Sequence, residues 1–241
     1  ARQRLRQKMR SRCSSVISAS RILATLPSIV DGQPLRSLVF DPVGNRLYAG
    51  SDRGLFWADL GAEEPRLVGP VVRADITKIE VAPDLGRVFF STDQEIAYID
   101  ARAPGEPTLL RPGFRAWDMA YEPSRQELYV ASRDPFVEVY DARSGERGAR
   151  IPLPGWYATS LEAIPGRMFL SVGSKDGLYV IDAATHQIAP WPINGRVVTP
   201  AYVDADPAGQ HLFLTYSRDV VAVDVAKAAL DASRKYAALV N

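Results

Sequence analysis

The sequence predicts an all-β chain, a five-bladed β-propeller of four-stranded antiparallel blades closed by an N-terminal strand. Three observations predict it. One pattern recurs five times, two markers keep step through every copy, and the apolar alternation has period two rather than a helical 3.6. The copies read SLVFDPVGNRLYAGSDRGLFWADL, KIEVAPDLGRVFFSTDQEIAYIDA, DMAYEPSRQELYVASRDPFVEVYDA, SLEAIPGRMFLSVGSKDGLYVIDA and YVDADPAGQHLFLTYSRDVVAVDVA. Pro42, Pro83, Pro123, Pro165 and Pro207 are 41, 40, 42 and 42 apart, and Asp59, Asp100, Asp141, Asp182 and Asp224 are 41, 41, 41 and 42 apart.

Each copy opens on an innermost strand with alternating apolar residues, such as Leu38 and Phe40 or Ile79 and Val81. It stops at the marker Pro, which has no N–H for a ladder. A turn leads to a second strand with an aromatic at its second position: Tyr48, Phe89, Tyr129, Phe169 and Phe213. A third strand ends at the marker Asp, whose short carboxylate bonds nearby backbone N–H groups in an Asx turn. Weaker outer strands are expected at 66–68, 108–110, 149–153 and 187–189. Four strands in about 40 residues, repeated radially, make a propeller blade. The repeats fall near 36–76, 77–116, 117–158, 159–200 and 201–227, within a propeller spanning 19–227.

The fifth outer strand is expected from residues 21–26 (RILATL), which pair onto the last blade and remove an open edge. The rival is residues 236–240, which leaves RILATL unpaired and makes the chain part of a larger ring. Residues 226–239, rich in Ala, Lys and Leu, read better as helix, so 228–241 is a C-terminal helix or tail.

With 241 residues, 46% hydrophobic and 24% charged, the chain has the composition of one folded domain. The net charge of +1 hides a division. Arg2, Arg4, Arg6, Lys8, Arg10 and Arg12 make residues 1–18 a basic tail, while the remainder holds 23 basic and 28 acidic side chains, a difference of −5. The tail is either simply solvated or touches an anionic surface, and no specific nucleic-acid partner is expected. Cys13 is the single cysteine, so no internal disulfide forms and the compartment is not indicated. No apolar run reaches membrane-span length, Arg21 interrupts the nearest secretion-like stretch, and no signal peptide is visible. Arg outnumbers Lys 24 to 5, which suits a bacterial, GC-rich source.

Units such as LYVASRDPFVEVYDARSGE and MFLSVGSKDGLYVIDAATHQ resemble the YVTN family of β-propeller repeats over about residues 35–227. Leu128-Tyr129-Val130 and Val180-Ile181-Asp182 match best, while Ala131-Ser132 stands where the family has Thr-Asn. The resemblance implies a soluble binding protein of the bacterial envelope or exterior.

Signatures of chemistry are sparse. His186 and His211 have no second His or Cys ligand nearby in sequence and read as incidental, so neither a zinc site nor any other metal or cofactor is expected. No G-x-S-x-G elbow, phosphate loop or dinucleotide fingerprint occurs. Asp52, Asp93, Asp134, Asp176 and Asp219 fall in the turn between strands two and three, either as turn residues or as an acidic rim. Three residues before each marker Pro stand Val39, Glu80, Ala120, Glu162 and Asp204. Buried carboxylates are costly unless paired or hydrated, so these acids imply a wet central channel with Lys78, Asp118 and Tyr202 nearby. They are water-satisfied structural acids, an ion or ligand site, or the carboxylates of a glycoside hydrolase or lactonase. The loops entering the innermost strands hold Arg73, Arg115, Trp117, Trp156, Tyr157 and Arg196, residue types that serve either blade packing or a binding surface. The expectation is therefore a non-catalytic scaffold that docks a protein or small ligand on this face, with the channel hydrolase as the alternative.

Overall fold

The computed structural model describes residues 29–30, 33–113, 115–172, 177–193, 200–206, 208–215 and 219–226. A short antiparallel pair, β1 (Ile29–Val30) and β2 (Gln33–Pro34), leads into five consecutive meanders. Blade 1 is β3 (Ser37–Asp41), β4 (Arg46–Ser51), β5 (Gly54–Asp59) and β6 (Val68–Val72). Blade 2 is β7 (Lys78–Ala82), β8 (Arg87–Ser91), β9 (Glu95–Asp100) and β10 (Thr108–Pro112). Blade 3 is β11 (Asp118–Glu122), β12 (Glu127–Ala131), β13 (Phe136–Asp141) and β14 (Arg147–Pro152). Blade 4 is β15 (Ala158–Ile164), β16 (Arg167–Val172), β17 (Gly177–Asp182) and β18 (Ile188–Pro190). Blade 5 shows β19 (Tyr202–Ala205), β20 (His211–Thr215) and β21 (Val220–Asp224). The expected closing strand at 21–26, the basic tail and the segment 228–241 lie outside the described residues.

The markers do the local work expected of them. Each innermost strand from β3 to β15 ends immediately before its Pro. Oδ1 of Asp59, Asp100, Asp141 and Asp182 accepts from the backbone N–H two residues on, at 2.8, 2.7, 2.9 and 3.0 Å. The strand-two aromatic is the third residue of its strand rather than the second, because pairing begins one residue earlier, as in Arg46↔Asp59 and Arg87↔Asp100. The first outer strand is displaced from 66–68 to Val68–Val72. Pro65, which lacks an N–H, and the exposed Glu63 and Glu64 keep the preceding stretch as loop.

Packing is between successive blades. Tyr48 joins blade 1 to Ile79, Val88 and Phe90 of blade 2, and Phe89 joins blade 2 to Leu128, Val130 and Tyr140 of blade 3. Tyr129 packs with Met168 and Leu170 of blade 4, and Phe169 with Val203, Leu212 and Leu214 of blade 5. The strand-two aromatics of blades 1 to 4 therefore face the following blade, and Phe213, in the last blade, is exposed. The outward face of blade 1 likewise exposes Leu38 (60%) and Phe40.

Side chains stitch the inner strands together where no ladder joins them. Ser37 Oγ accepts from Ile79 N (3.0 Å), Glu80 Oε1 from Tyr121 N (3.0 Å), Asp118 Oδ2 from Leu161 N (3.0 Å) and Ser160 Oγ from Val203 N (3.2 Å). Toward the opposite end, Arg46 and the Tyr48 hydroxyl donate to the Ala101 carbonyl, and Arg87 Nη1 donates to that of Ala142 at 2.6 Å. Arg87 also lies over the Tyr98 ring, 4.1 Å from its centroid. Where blade 3 has Glu127 in place of the arginine, the link is made with His186 of blade 4 at 3.0 Å.

Candidate functional site

The loops that enter the innermost strands and the hairpins between strands two and three lie at one end of the blades, because strand one starts where strand two finishes. Antiparallel pairs such as Asp118↔Ala131 and Lys78↔Ser91 fix this. The hairpins of blades 1, 2 and 3 are closed by hydroxyls. Ser51 Oγ accepts from Arg53 N (3.0 Å), Thr92 Oγ1 from Gln94 N (3.1 Å) and Ser132 Oγ from Asp134 N (3.0 Å). Asp52 and Asp93 are thus released from the turn role that the sequence suggests, and Asp93 pairs outward with Arg115 at 3.2 Å. Asp176 lies outside the described residues, and Asp219 is exposed.

On this face the structure brings three predicted residues into one ridge. Trp117 and Tyr157, one repeat apart, meet edge to face at 4.9 Å and 79°. Trp156 beside them is 74% exposed, although burial is the ordinary fate of an indole. Arg133, not anticipated from the sequence, lies 5.1 Å over the Trp117 ring from the β12–β13 hairpin. Arg115 and Arg73 are exposed along the same loops. Arg196 lies outside the described residues. The ridge offers aromatic area and guanidinium donors together, the mixture that protein-binding surfaces use.

The innermost strands carry the second candidate. Glu80 and Glu162 are partly buried and Asp204 is exposed. Lys78 Nζ lies 3.0 Å from Asp118 Oδ1, and Tyr202 is exposed. Burial pushes Glu80 up to about 8, against the Tyr121 N–H that favours its charged form. Burial, then the charges of Glu80, Asp204 and Asp118, push Glu162 up to about 9. Near neutral pH these two carboxyls are protonated, so the line of acids carries less charge than its composition suggests. Glu80 and Asp118 already serve as blade stitches. Among the described residues no three His, Cys, Asp or Glu side chains converge as a metal site requires.

Both histidines have carboxylate partners that sequence reading did not supply. His186 meets Glu127 and packs edge-on to Tyr129, while His211 Nδ1 lies 3.1 Å from Asp206 Oδ2. The His186 pair spans 59 residues and a blade boundary. No helix among the described residues is long and apolar enough to cross a membrane.

No family model matches the chain, and no curated protein matches it. Solved structures do. In the nidogen/laminin complex a chain superposes with a TM-score of 0.62 at 15% identity, over 83% of this chain and 80% of that one. The mitotic checkpoint complex gives 0.60 at 13% identity, over 82% and 76%. The RRP9 WD40 repeats give 0.63 at 10% identity, over 78% of this chain and 58% of theirs. This is a likeness of fold, to propellers of the WD40 type and to propellers found in protein complexes.

Proposed function

We propose that this chain is a non-catalytic binding scaffold whose loop face docks a protein partner. The observation that carries the reading is Trp156, held in the open next to the Trp117–Tyr157 pair, with Arg133 over the Trp117 ring and Arg115 and Arg73 exposed on entering loops at the same end of the blades. An exposed indole gains nothing in water but anchors an interface once a partner covers it. We read the blades as YVTN-type repeats on Leu128-Tyr129-Val130 and Val180-Ile181-Asp182, and the setting as a bacterial envelope or exterior. The test is affinity capture from source cells with the wild type and with W156A and R73E/R115E. A near-stoichiometric partner retained by the first and lost by both variants supports the reading, and retention by all three overturns it.

A second reading rests on the raised carboxyls of Glu80 and Glu162 beside the exposed Asp204. A cluster of carboxyls, one of them held protonated, is the arrangement a glycoside hydrolase or lactonase uses. Turnover of sugar or lactone substrates abolished in E80Q and E162Q variants that remain folded supports it, and undiminished turnover removes it.

A further inference from the structure

Among the described residues, a concentration of charge away from the loop face lies on the outer rim, where blade 2 meets blade 3. Glu138 in β13 has a side chain with no solvent exposure, and three guanidiniums surround it. Arg150 Nη2 donates to its Oε1 at 2.8 Å, Arg111 Nε of blade 2 lies 3.1 Å from its Oε2, and Arg147 Nη1 lies 3.6 Å from its Oε1. The Tyr140 hydroxyl donates to Oε2 at 2.5 Å. Strand register creates the cluster. Glu138 pairs with Arg150 and Tyr140 with Arg147, and the bulge between those pairs turns both arginines to the face that holds Glu138. Arg150 is also stacked over Phe136, 4.1 Å from the ring centroid.

The balance is uneven. One bidentate guanidinium suffices to satisfy a buried carboxylate, yet Arg147 joins Arg150 and Arg111 around this one, so the donors of Arg147 and Arg150 exceed what Glu138 can accept. About half of the Arg147 and Arg150 side-chain surface is open to solvent. Each guanidinium has five N–H donors, and Glu138 takes only those turned inward. The outward edges of two forks, one fixed by stacking and hydrogen bonding, face solvent side by side.

We propose that this rim cluster binds a phosphorylated side chain of a partner protein. A phosphoryl group near neutral pH carries close to two negative charges and three acceptor oxygens, which matches two half-open guanidinium forks side by side. A single Asp or Glu offers one charge and two acceptor oxygens, enough for one fork. The patch is compact rather than extended, so it does not offer the succession of phosphate contacts that nucleic acid requires. The site is independent of the loop face.

The test is fluorescence anisotropy of the full chain with a labelled Gly-Ala-phosphoSer-Ala-Gly peptide, beside its Ser and Glu counterparts and a single-stranded RNA oligonucleotide. The phosphopeptide is expected to bind about tenfold or more tightly than either counterpart, with inorganic phosphate competing. R147Q/R150Q, checked for unchanged thermal unfolding, is expected to lose that binding about tenfold, and R147K/R150K to lose part of it because Lys lacks the planar fork. R66Q, which removes an exposed arginine from the rim of blade 1, leaves binding unaltered. Equal affinity for the Ser and phosphoSer peptides, unchanged binding in R147Q/R150Q, or tighter binding of RNA each overturns the proposal. Loss of the loop-face partner in W156A with phosphopeptide binding intact separates the two surfaces.

Discussion

Replacing both inner-strand carboxyls, Glu80→Gln with Glu162→Gln, tests whether these groups are held protonated. Folding raises them from the ordinary carboxylate range to about 8 and about 9, burial being the first cause in each. Between the unfolded and folded values the native protein holds more protons than the unfolded chain. The stability they contribute is therefore complete below the unfolded pKa and is lost as pH rises through the folded values. Each group supplies a slope of at most about 1.4 kcal/mol per pH unit. Both side chains are partly open to solvent, so roughly half of that is realised, or about 1.4 kcal/mol per pH unit for the pair. From about pH 5.5 to 7.5, wild-type stability relative to the double variant should fall by roughly 3 kcal/mol. Urea unfolding followed by tryptophan fluorescence measures it, and groups with lowered pKa, such as Glu138 and Asp206, cancel in the difference. Parallel stability–pH profiles for the two proteins would refute the reasoning.

Three further outcomes follow from the packing. Gly50→Val should cost about 1–3 kcal/mol in urea unfolding, because a Cβ at position 50 meets Ile76 Cγ2 at 2.6 Å at a blade boundary. Arg87→Ala removes the bond to Ala142 and the contact with Tyr98, and should lower unfolding free energy by about 1–3 kcal/mol while Arg87→Lys restores part. Glu138→Ala leaves three guanidiniums facing one another without their carboxylate and should cost about 3 kcal/mol, the loss shrinking as salt is raised in thermal unfolding.

The blade pattern was legible because its devices are local. A Pro that ends a strand and an Asp that bonds the N–H two residues on act within a few positions, so repetition displays them as a period. Trp117 and Tyr157 were legible for a related reason, since equivalent loops of neighbouring blades become spatial neighbours. The partners of Glu138, His186 and Asp93 were hidden. Glu138 meets Arg111 of blade 2 across 27 residues, His186 meets Glu127 across 59 and Asp93 meets Arg115 across 22, and the choice depends on bulges and side-chain direction that no short pattern encodes. The role of Glu80 was half visible. Its alignment marked an inner-strand acid, while its task of bonding the next blade needed the register of β11 against β7. Asp52 and Asp93 misled for a simple reason: a neighbouring Ser or Thr already made the turn bond.

The consistent direction of the strand-two aromatics gives the molecule a polarity along its repeat. Blades 1 to 4 each lend a Tyr or Phe forward and blades 2 to 5 each receive one from behind, so cohesion passes from neighbour to neighbour as it does along a linear array of repeats. Blades 2, 3 and 4 are held by two such couplings, whereas the described outward faces of blades 1 and 5 are held by one. Amide-exchange protection should therefore be greatest in β8, β12 and β16 and decline toward β20 and β21, where Phe213 offers its ring to a neighbour that the described chain does not supply.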